Sequence, residues 1–492
     1  MNLSVLLDLI QSSPELTTLV KALGDQKVSA HPVAVIHSAR PPTLAALQDS
    51  LSKPIVVVTA RADRAKMLLT EIGSWARDPA SVFYFAEPDP LFYEHLPWTG
   101  EVIAARLAAL SALALPGSAT APGSRADHKG AIVITTIRAL MQKTIPPENF
   151  RRGLITLAGG QEISITQLLG AIVGLGYENA TVVQAPGAFS RRGGIVDIWP
   201  PADAFPARLE FVGNEIESIR RFDPETQRSR ESVTLLTLAL ASEADFTLAK
   251  QVAETVAQWD LSNCQPVAEM QWKQDAARLA EGTRWRGVEY YLQSFYPHPA
   301  TLIEHLASDG LLIIEDWDEI EATAIQLAHQ AEDVRVDLES QKEIPLGLGL
   351  AGRRPYVEWD TIREQILTRP RVLFDYQALG QEHKLPFVVG ERFGGQLRKV
   401  VDFVAERRAE NARLVVVSRQ SERLAELLRE RNIFAKPHDA PEQAPPAGSV
   451  TLVQGSLAEG WKLEVRSEPL VELVTSNLYI LTDAEIFGWS RP

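Results

Sequence analysis

Cysteine and long hydrophobic runs are nearly absent from this chain. Among 492 residues only Cys264 is a cysteine, which excludes an internal disulfide framework and a cysteine-based metal cluster. The longest almost wholly apolar stretch, residues 107–115, is far shorter than the roughly 20 residues that a membrane-spanning helix requires. The first residues carry no basic cluster and include Asp8, unlike a secretory signal peptide. We therefore expect a cytoplasmic protein with no membrane contact.

Positive charge is also in short supply. The 49 lysines and arginines face 63 aspartates and glutamates, so the net charge is −14 at pH 7 with histidine neutral. This balance argues against a broad, sequence-independent grip on DNA phosphates. Hydrophobic residues make up 45% and charged residues 23% of the chain, as in ordinary folded proteins, and the length corresponds to several domains.

The motifs of common catalytic and metal sites are missing as well. The nine histidines form neither an HxxxH nor an HExxH pair, there is no GxSxG motif, and Cys264 has no obvious histidine partner in the sequence. We therefore predict that this segment contains no catalytic residue, no metal site and no bound cofactor.

Strand-like and helix-like runs alternate along the first 150 residues. The unbroken β-branched run of residues 55–58 predicts a strand buried on both faces, residues 82–85 and 131–134 predict two more buried strands, and residues 33–36 form a short, strand-like apolar run. Because helical spacing separates these runs, they predict a doubly wound parallel sheet. Another apolar run, residues 311–316, ends in the acidic pair Glu315 and Asp316.

The loop after the first predicted strand lies where a nucleotide-hydrolysing fold would bind phosphate. Residues 37–43 read HSARPPT, with no glycine to wrap a phosphate, no lysine, and two prolines that have no N–H to donate. We interpret this loop as a plain strand-to-helix connection. Without a phosphate loop, the acidic pair has no nucleotide-bound Mg²⁺ to hold, and the simpler interpretation is a helix cap at Asp316 or Asp318.

The amino-acid composition changes near residue 150, and residues 177–228 are rich in glycine, arginine and strand-forming residues. Residues 207–212 alternate in polarity, Gly213 and Asn214 fit a two-residue hairpin turn, and residues 215–222 return as the partner strand. The pattern predicts a small β-rich module inserted into the larger fold.

Period-two counting places Arg208, Glu210 and Val212 on one face of that strand, and Leu209 and Phe211 on the other. Residues 187–229 contain six arginines, no lysine and seven carboxylates. Arginine presents a planar fork that suits carboxylates on a partner protein, and a solvated hairpin with local ion pairs is the simpler alternative.

Two stretches of this module, residues 187–201 (GAFSRRGGIVDIWPP) and 207–229 (ARLEFVGNEIESIRRFDPETQRS), resemble the signature shared by the excision-repair protein UvrB and the transcription-repair coupling factor (Mfd) family. Shorter segments resemble the coupling-factor family in the same order, and together they extend over nearly the whole chain: residues 90–94, 106–110, 287–291, 454–461 and 481–488.

The resemblance implies a multi-domain α/β fold. Residues 1–149 and 233–345 would be two halves of a UvrB-like first domain, a degenerate P-loop-type doubly wound parallel sheet. Residues 150–232 would be an inserted β-rich α+β domain that binds UvrA, and residues 346–492 a further, small α/β domain to which no role is assigned. Carried over position by position, the family's UvrA-facing residues fall on Arg192, Arg208 and Val212. At the position of Val212 the family usually has a larger apolar side chain, which buries more area than valine.

The chain departs from UvrB, which keeps an intact phosphate loop and a long aromatic-rich hairpin. Coupling factors continue into an RNA-polymerase-interacting domain and two motor domains, and we expect ATP, magnesium, RNA polymerase and DNA to be bound only by those parts. The function implied is recruitment of UvrA to stalled transcription complexes by a monomer without its own ATPase. Two alternatives stay open: part of an ATP-dependent DNA translocase with motor domains beyond residue 492, and a UvrB-like DNA-binding platform.

Overall fold

The computed structural model describes seven stretches of the chain: residues 1–24, 29–115, 130–296, 298–348, 354–374, 383–464 and 477–488. Its elements fall into four groups along the sequence. The first group contains α1 (Leu7–Gln11), α2 (Pro14–Gly24), β1 (Ala30–Ala34), α3 (Arg40–Leu51), β2 (Ile55–Thr59), α4 (Ala62–Trp75), β3 (Val82–Phe85), α5 (Gly100–Ala114), β4 (Ile132–Thr136), α6 (Ile137–Met141) and α7 (Pro147–Arg152).

The second group is the inserted module and is almost entirely β-structure. It contains β5 (Ile155–Ala158), α8 (Ile165–Gly174), β6 (Glu178–Asn179), β7 (Ala188–Arg192), β8 (Ile195–Ile198), β9 (Ala207–Val212), β10 (Glu215–Phe222), β11 (Ser229–Ser232) and β12 (Leu235–Leu238).

The third group is mainly helical, and the fourth returns to alternating strands and helices. The third contains α9 (Ala249–Ala257), α10 (Pro266–Glu281), α11 (Leu292–Phe295), α12 (Leu302–His305), β13 (Leu311–Glu315), α13 (Trp317–Ser340), α14 (Trp359–Leu367) and β14 (Arg371–Phe374). The fourth contains β15 (His383–Lys384), β16 (Phe387–Val389), α15 (Leu397–Ala409), β17 (Arg413–Ser418), α16 (Ser421–Arg429), β18 (Pro437–His438), β19 (Val450–Gln454), β20 (Trp461–Leu463), β21 (Leu478–Thr482) and α17 (Asp483–Phe487).

Seven parallel strands form the first sheet, in the order β15-β1-β14-β13-β2-β4-β3. Every residue of β2, β4 and β13 is buried, as their apolar runs predict. The prediction of a buried strand at residues 82–85 is wrong for three of its four residues, because β3 lies at the edge of the sheet and only Phe85 is buried. The first strand begins earlier than the apolar run, at Ala30, because its ladder with β14 starts there. The predicted α/β fold with a parallel first sheet is confirmed.

Residues 346–492, treated above as one small domain, contribute to two sheets. The strands β14 and β15 pair with the first sheet, so the chain returns to that sheet after α14. Strands from Phe387 onward form the last sheet, in the order β16-β20-β21-β17-β19-β18. In this last sheet β18, β19, β17 and β21 run parallel, while β20 and β16 are antiparallel to their neighbours.

The inserted module is joined to the rest of the chain through two paired strands, β5 and β12, which we call the neck. Antiparallel pairing of β5 with β12 brings residues 155–158 and 235–238 together, so that the chain enters and leaves the module at one place. Beyond the neck lies a six-stranded sheet in the order β11-β10-β9-β8-β7-β6. The predicted hairpin of residues 207–222 is present as β9 and β10, joined at Gly213 and Asn214.

One hydrophobic core joins the last sheet to the beginning of the chain. Leu3, Leu6 and Trp75 belong to the same buried cluster as Val417 and Trp461 of the last sheet. The rings of Trp75 and Trp461 lie 5.7 Å apart, and Phe387 packs against Trp461 at 5.0 Å, measured between ring centroids. None of the helices formed by the described residues combines the length and hydrophobicity needed to cross a bilayer.

Replacing Trp461 by alanine is expected to lower the free energy of unfolding by about 3–5 kcal/mol. The Trp461 side chain is only 1% exposed, so its removal leaves a cavity between the last sheet and the elements at the beginning of the chain. Denaturant unfolding followed by circular dichroism measures this loss. Phe434 is 79% exposed in the same part of the chain, so Phe434→Ala is the matched control and should change stability by less than about 0.5 kcal/mol. Equal, small effects of the two variants would contradict the shared core.

Candidate functional site

The three residues that the sequence singled out, Arg192, Arg208 and Val212, lie on the β7–β8–β9 part of the inserted module. Arg192 is the last residue of β7, and Val212 is the last residue of β9. In the ladder Arg192 faces Ile195, which in turn faces Glu210 two residues before Val212. Side chains opposite each other point to the same face of a sheet, so Arg192, Arg208 and Val212 share the outward face.

Two hairpin tips bring Arg192 and Val212 to the same end of the sheet. Gly193 and Gly213 adopt φ angles of 61° and 64°, a left-handed conformation that favours glycine. A Cβ on Gly194 would lie 3.0 Å from the Phe211 carbonyl oxygen, and the Phe211 N–H donates to the Gly194 carbonyl at 2.8 Å. The glycines thus allow the two tips to lie side by side.

Arg208 is held in place by a carboxylate of the same sheet. Its Nε and Nη2 donate to the two oxygens of Asp197 at 2.7 and 2.9 Å, and its guanidinium lies 4.7 Å from the centroid of the Phe222 ring. The hydrogen bond to Asp197 raises the pKa of Arg208 above its ordinary value. With 21% of its side chain exposed, Arg208 is a fixed, half-buried cation with one side turned outward.

Arg192 and Val212 are more open. Arg192 is exposed and its Nη2 donates to the Thr181 carbonyl at 3.1 Å. Val212 is 63% exposed at the tip of the hairpin. The arrangement offers cations and an apolar side chain to a partner surface, and it contains no group poised for covalent chemistry.

Sequence reasoning did not identify Asp197 or Phe222 as the residues that position Arg208. The pairing of Asp197 with Arg208 requires the register of β8 against β9, which a hydrophobic pattern does not define. The available signal was the acidic residue on an otherwise apolar strand, since Ile195, Val196 and Ile198 surround Asp197.

In the loop of residues 37–43, the side chain of Arg40 fills the space beside the acidic pair Glu315 and Asp316. Arg40 is completely buried; its Nη1 lies 2.9 Å from Glu315 Oε1, and its Nη1 and Nη2 donate to the two oxygens of Asp316 at 2.9 and 3.1 Å. Arg64 of α4 donates to both oxygens of Glu315, at 2.7 Å from Nε and 2.5 Å from Nη2. We call Arg40, Arg64, Glu315 and Asp316 the ion-pair cluster.

This cluster accounts for the acidic pair at the end of β13. Asp316 occupies the N-cap position of α13, but its carboxylate makes no capping hydrogen bond and binds Arg40 instead, so the helix-cap interpretation of its side chain is wrong. Burial alone would raise the pKa of Glu315, yet the hydrogen bonds and charges of Arg64 and Arg40 hold that pKa below its ordinary value. The pKa of Asp316 is also lowered, because the hydrogen bonds and charge of Arg40 outweigh the effect of burial, which alone would raise it.

The loop lacks the groups that a nucleotide phosphate requires. Pro41 and Pro42 stand at the first turn of α3 and have no N–H, and the carboxylates that would hold a magnesium ion are bound to arginines. In the part of the chain that the structure describes, no group of three or more histidine, cysteine, aspartate or glutamate side chains could hold a metal ion.

The inserted module is recognised by a protein-family model described as the UvrB interaction domain, which matches residues 155–243. The range coincides with the neck and the six-stranded sheet beyond it, and so covers Arg192, Arg208 and Val212.

Curated relatives carry the similarity across the rest of the chain. Transcription-repair-coupling factors of Bacillus subtilis (strain 168) and Staphylococcus haemolyticus (strain JCSC1435) are 24% identical to 97% and 98% of this chain, and that of Staphylococcus aureus (strain USA300) is 24% identical to 89%. The chain spans at most 40% of the length of these relatives. The resemblance to the N-terminal, UvrB-like module of transcription-repair coupling factors is thereby confirmed.

Replacing Arg40 by glutamine is expected to cost about 2–3 kcal/mol of unfolding free energy at pH 7, because it leaves the partly exposed Asp316 without its ion-pair partner and the buried Glu315 with Arg64 alone. The lowered pKa values of Glu315 and Asp316 stabilise the folded state above their unfolded values of about 4, and this contribution is lost as the pH falls. The difference between parent and variant should therefore be largest near pH 7 and shrink below about pH 5.

Denaturant unfolding at pH 7, 5 and 4 tests this expectation. Arg61, whose pair with Glu319 is largely exposed, provides the matched control: Arg61→Gln should leave the unfolding free energy almost unchanged. A loss at pH 7 no larger than that of the control would show that the ion-pair cluster does not stabilise the fold.

Proposed function

We propose that this chain recruits UvrA during nucleotide excision repair, as the UvrB-like part of a transcription-repair coupling factor, and that it has no ATPase activity of its own. The observation that carries the proposal is the outward face at the tip of the inserted module, where Arg192, Arg208 and Val212 converge inside the region matched by the UvrB interaction domain.

The chemistry of this face suits a partner that presents carboxylates. Arginine forks form paired, charge-assisted hydrogen bonds with carboxylates, and arginine is common among the few residues that dominate binding energies at protein interfaces. Arg208 is already oriented by Asp197, so little conformational entropy is lost when a partner binds it. Val212 supplies apolar area, though less than a larger side chain would at the same position.

The absence of ATP chemistry is proposed from the occupied loop. Arg40 fills the space beside Glu315 and Asp316, and two prolines remove donors that a phosphate needs. Hydrolysis of ATP would therefore belong to parts of a coupling factor outside these residues, and we assign contacts with RNA polymerase and DNA to those parts as well. A protein that recruits UvrA to transcribed DNA would act in the cytoplasm.

Replacing Arg192 and Arg208 together by alanine is expected to weaken UvrA binding at least thirtyfold, about 2 kcal/mol, because both proposed contacts are lost. Isothermal titration of the full chain with UvrA from the same organism measures the change. Arg191→Ala is the matched control: Arg191 is exposed and next in sequence to Arg192, but faces Val196 on the opposite side of the sheet.

Melting curves must accompany these titrations, since Arg208→Ala also leaves the buried Asp197 carboxylate without its partner. Arg192→Ala alone carries no such cost, because Arg192 bonds only to a backbone carbonyl in the described structure. If a folded double variant binds UvrA as tightly as the parent, this face is not the UvrA site.

The purified chain should not bind ATP with Mg²⁺ at micromolar concentrations, because the loop offers neither phosphate donors nor free carboxylates for the metal. Calorimetric titration checks the expectation directly. Micromolar binding of ATP by the folded chain would overturn the proposal.

A further inference from the structure

A third arginine lies on the same outward face, directly opposite Arg208. The register of β9 and β10 pairs Arg208 with Arg220, and Arg220 has 42% of its side chain exposed. Like charges directly opposite one another in a sheet are destabilising, so this pair requires compensation. The compensation comes from two carboxylates of the same face, Asp197 for Arg208 and Glu210 for Arg220.

The two carboxylates hold their arginines very differently. Asp197 is 5% exposed and binds Arg208 through both oxygens. Glu210 is 30% exposed, and its Oε2 lies 3.2 Å from Arg220 Nη2; the same oxygen accepts the Ser218 hydroxyl at 2.6 Å. A partly exposed contact of this kind contributes little to stability, so Arg220 can exchange its carboxylate at little cost.

We propose that Glu210 is an internal competitor for the partner's carboxylates: it occupies Arg220 in the free protein and gives it up when an acidic patch of UvrA binds. This inference rests on the proposed function. It extends the interface from Arg192, Arg208 and Val212 to Arg220, and it assigns Glu210 the role of weakening the interaction.

The position of Glu210 supports this role. It lies between Ile195 and Ser218 in the ladder and one outward residue from both Arg208 and Val212, in the middle of the proposed contact. A partner carboxylate that reaches Arg220 therefore meets the negative charge of Glu210, which disfavours the complex. Ser218 can still donate to an amide oxygen at position 210, so glutamine there keeps the local hydrogen bond without the charge.

The test measures UvrA affinity of the full chain carrying Glu210→Gln, Arg220→Gln, or both, at about 50 and about 150 mM salt. Glu210→Gln is expected to bind about fivefold more tightly than the parent, equivalent to ~1 kcal/mol, and the gain should be smaller at the higher salt. Arg220→Gln should bind about tenfold more weakly. Glu210→Gln should have no effect on affinity once Arg220 is replaced, because Glu210 and the partner's carboxylates then have no arginine at position 220 to compete for.

Glu254→Gln, an exposed position on α9 outside the module, makes the same change in net charge and should leave affinity unchanged. The inference is overturned if Glu210→Gln binds no better than the parent, if Glu254→Gln brings the same gain, or if the gain persists without Arg220. Loss of binding in the Arg192 and Arg208 double variant with no response at positions 210 and 220 would remove this inference alone. No UvrA binding by the parent would remove the proposed function itself.

Discussion

The ion-pair cluster of Arg40, Arg64, Glu315 and Asp316, centred on the buried Arg40 and Glu315, ties together the elements around the carboxyl edge of the first sheet. Arg40 begins α3, Arg64 lies on α4, and the two carboxylates end β13 and begin α13. In a nucleotide-hydrolysing fold these elements are bridged by phosphate and magnesium. Here the protein's own cations make the bridge, so the arrangement of helices around the sheet does not depend on a bound ligand.

The first domain carries the inserted module at a single place. The module is joined through one antiparallel neck, and its far end presents the outward face with its arginines. On that face the chain combines a tightly held arginine with a loosely held one, because Asp197 is buried and Glu210 is half-exposed. In the proposed complex the two arginines would have separate roles, Arg208 as a cation fixed before binding and Arg220 as one that changes partner.

Strands with unbroken apolar runs could be predicted from the sequence, and so could the hairpin of residues 207–222, because burial on both faces and turn-forming glycine leave local patterns. The partner of Arg40 could not, since Asp316 is 276 positions away and no local pattern connects them. The return of β14 and β15 to the first sheet was missed for the same reason, as their pairing with β1 is long-range. Predicting the full set of residues on the outward face required the register between strands as well as the period-two pattern within each strand.

The core shared by Trp75 and Trp461 has a consequence for how the chain folds as it is made. Trp75 leaves the ribosome about 400 residues before Trp461, and at synthesis rates of about 5–20 residues per second its partner arrives roughly 20–80 seconds later. During that interval the apolar surface around Trp75 that the last sheet covers is open to other chains. Packing around Trp75 is thus complete only when the last sheet has been synthesised, and until then the growing chain exposes apolar surface of the kind that favours aggregation.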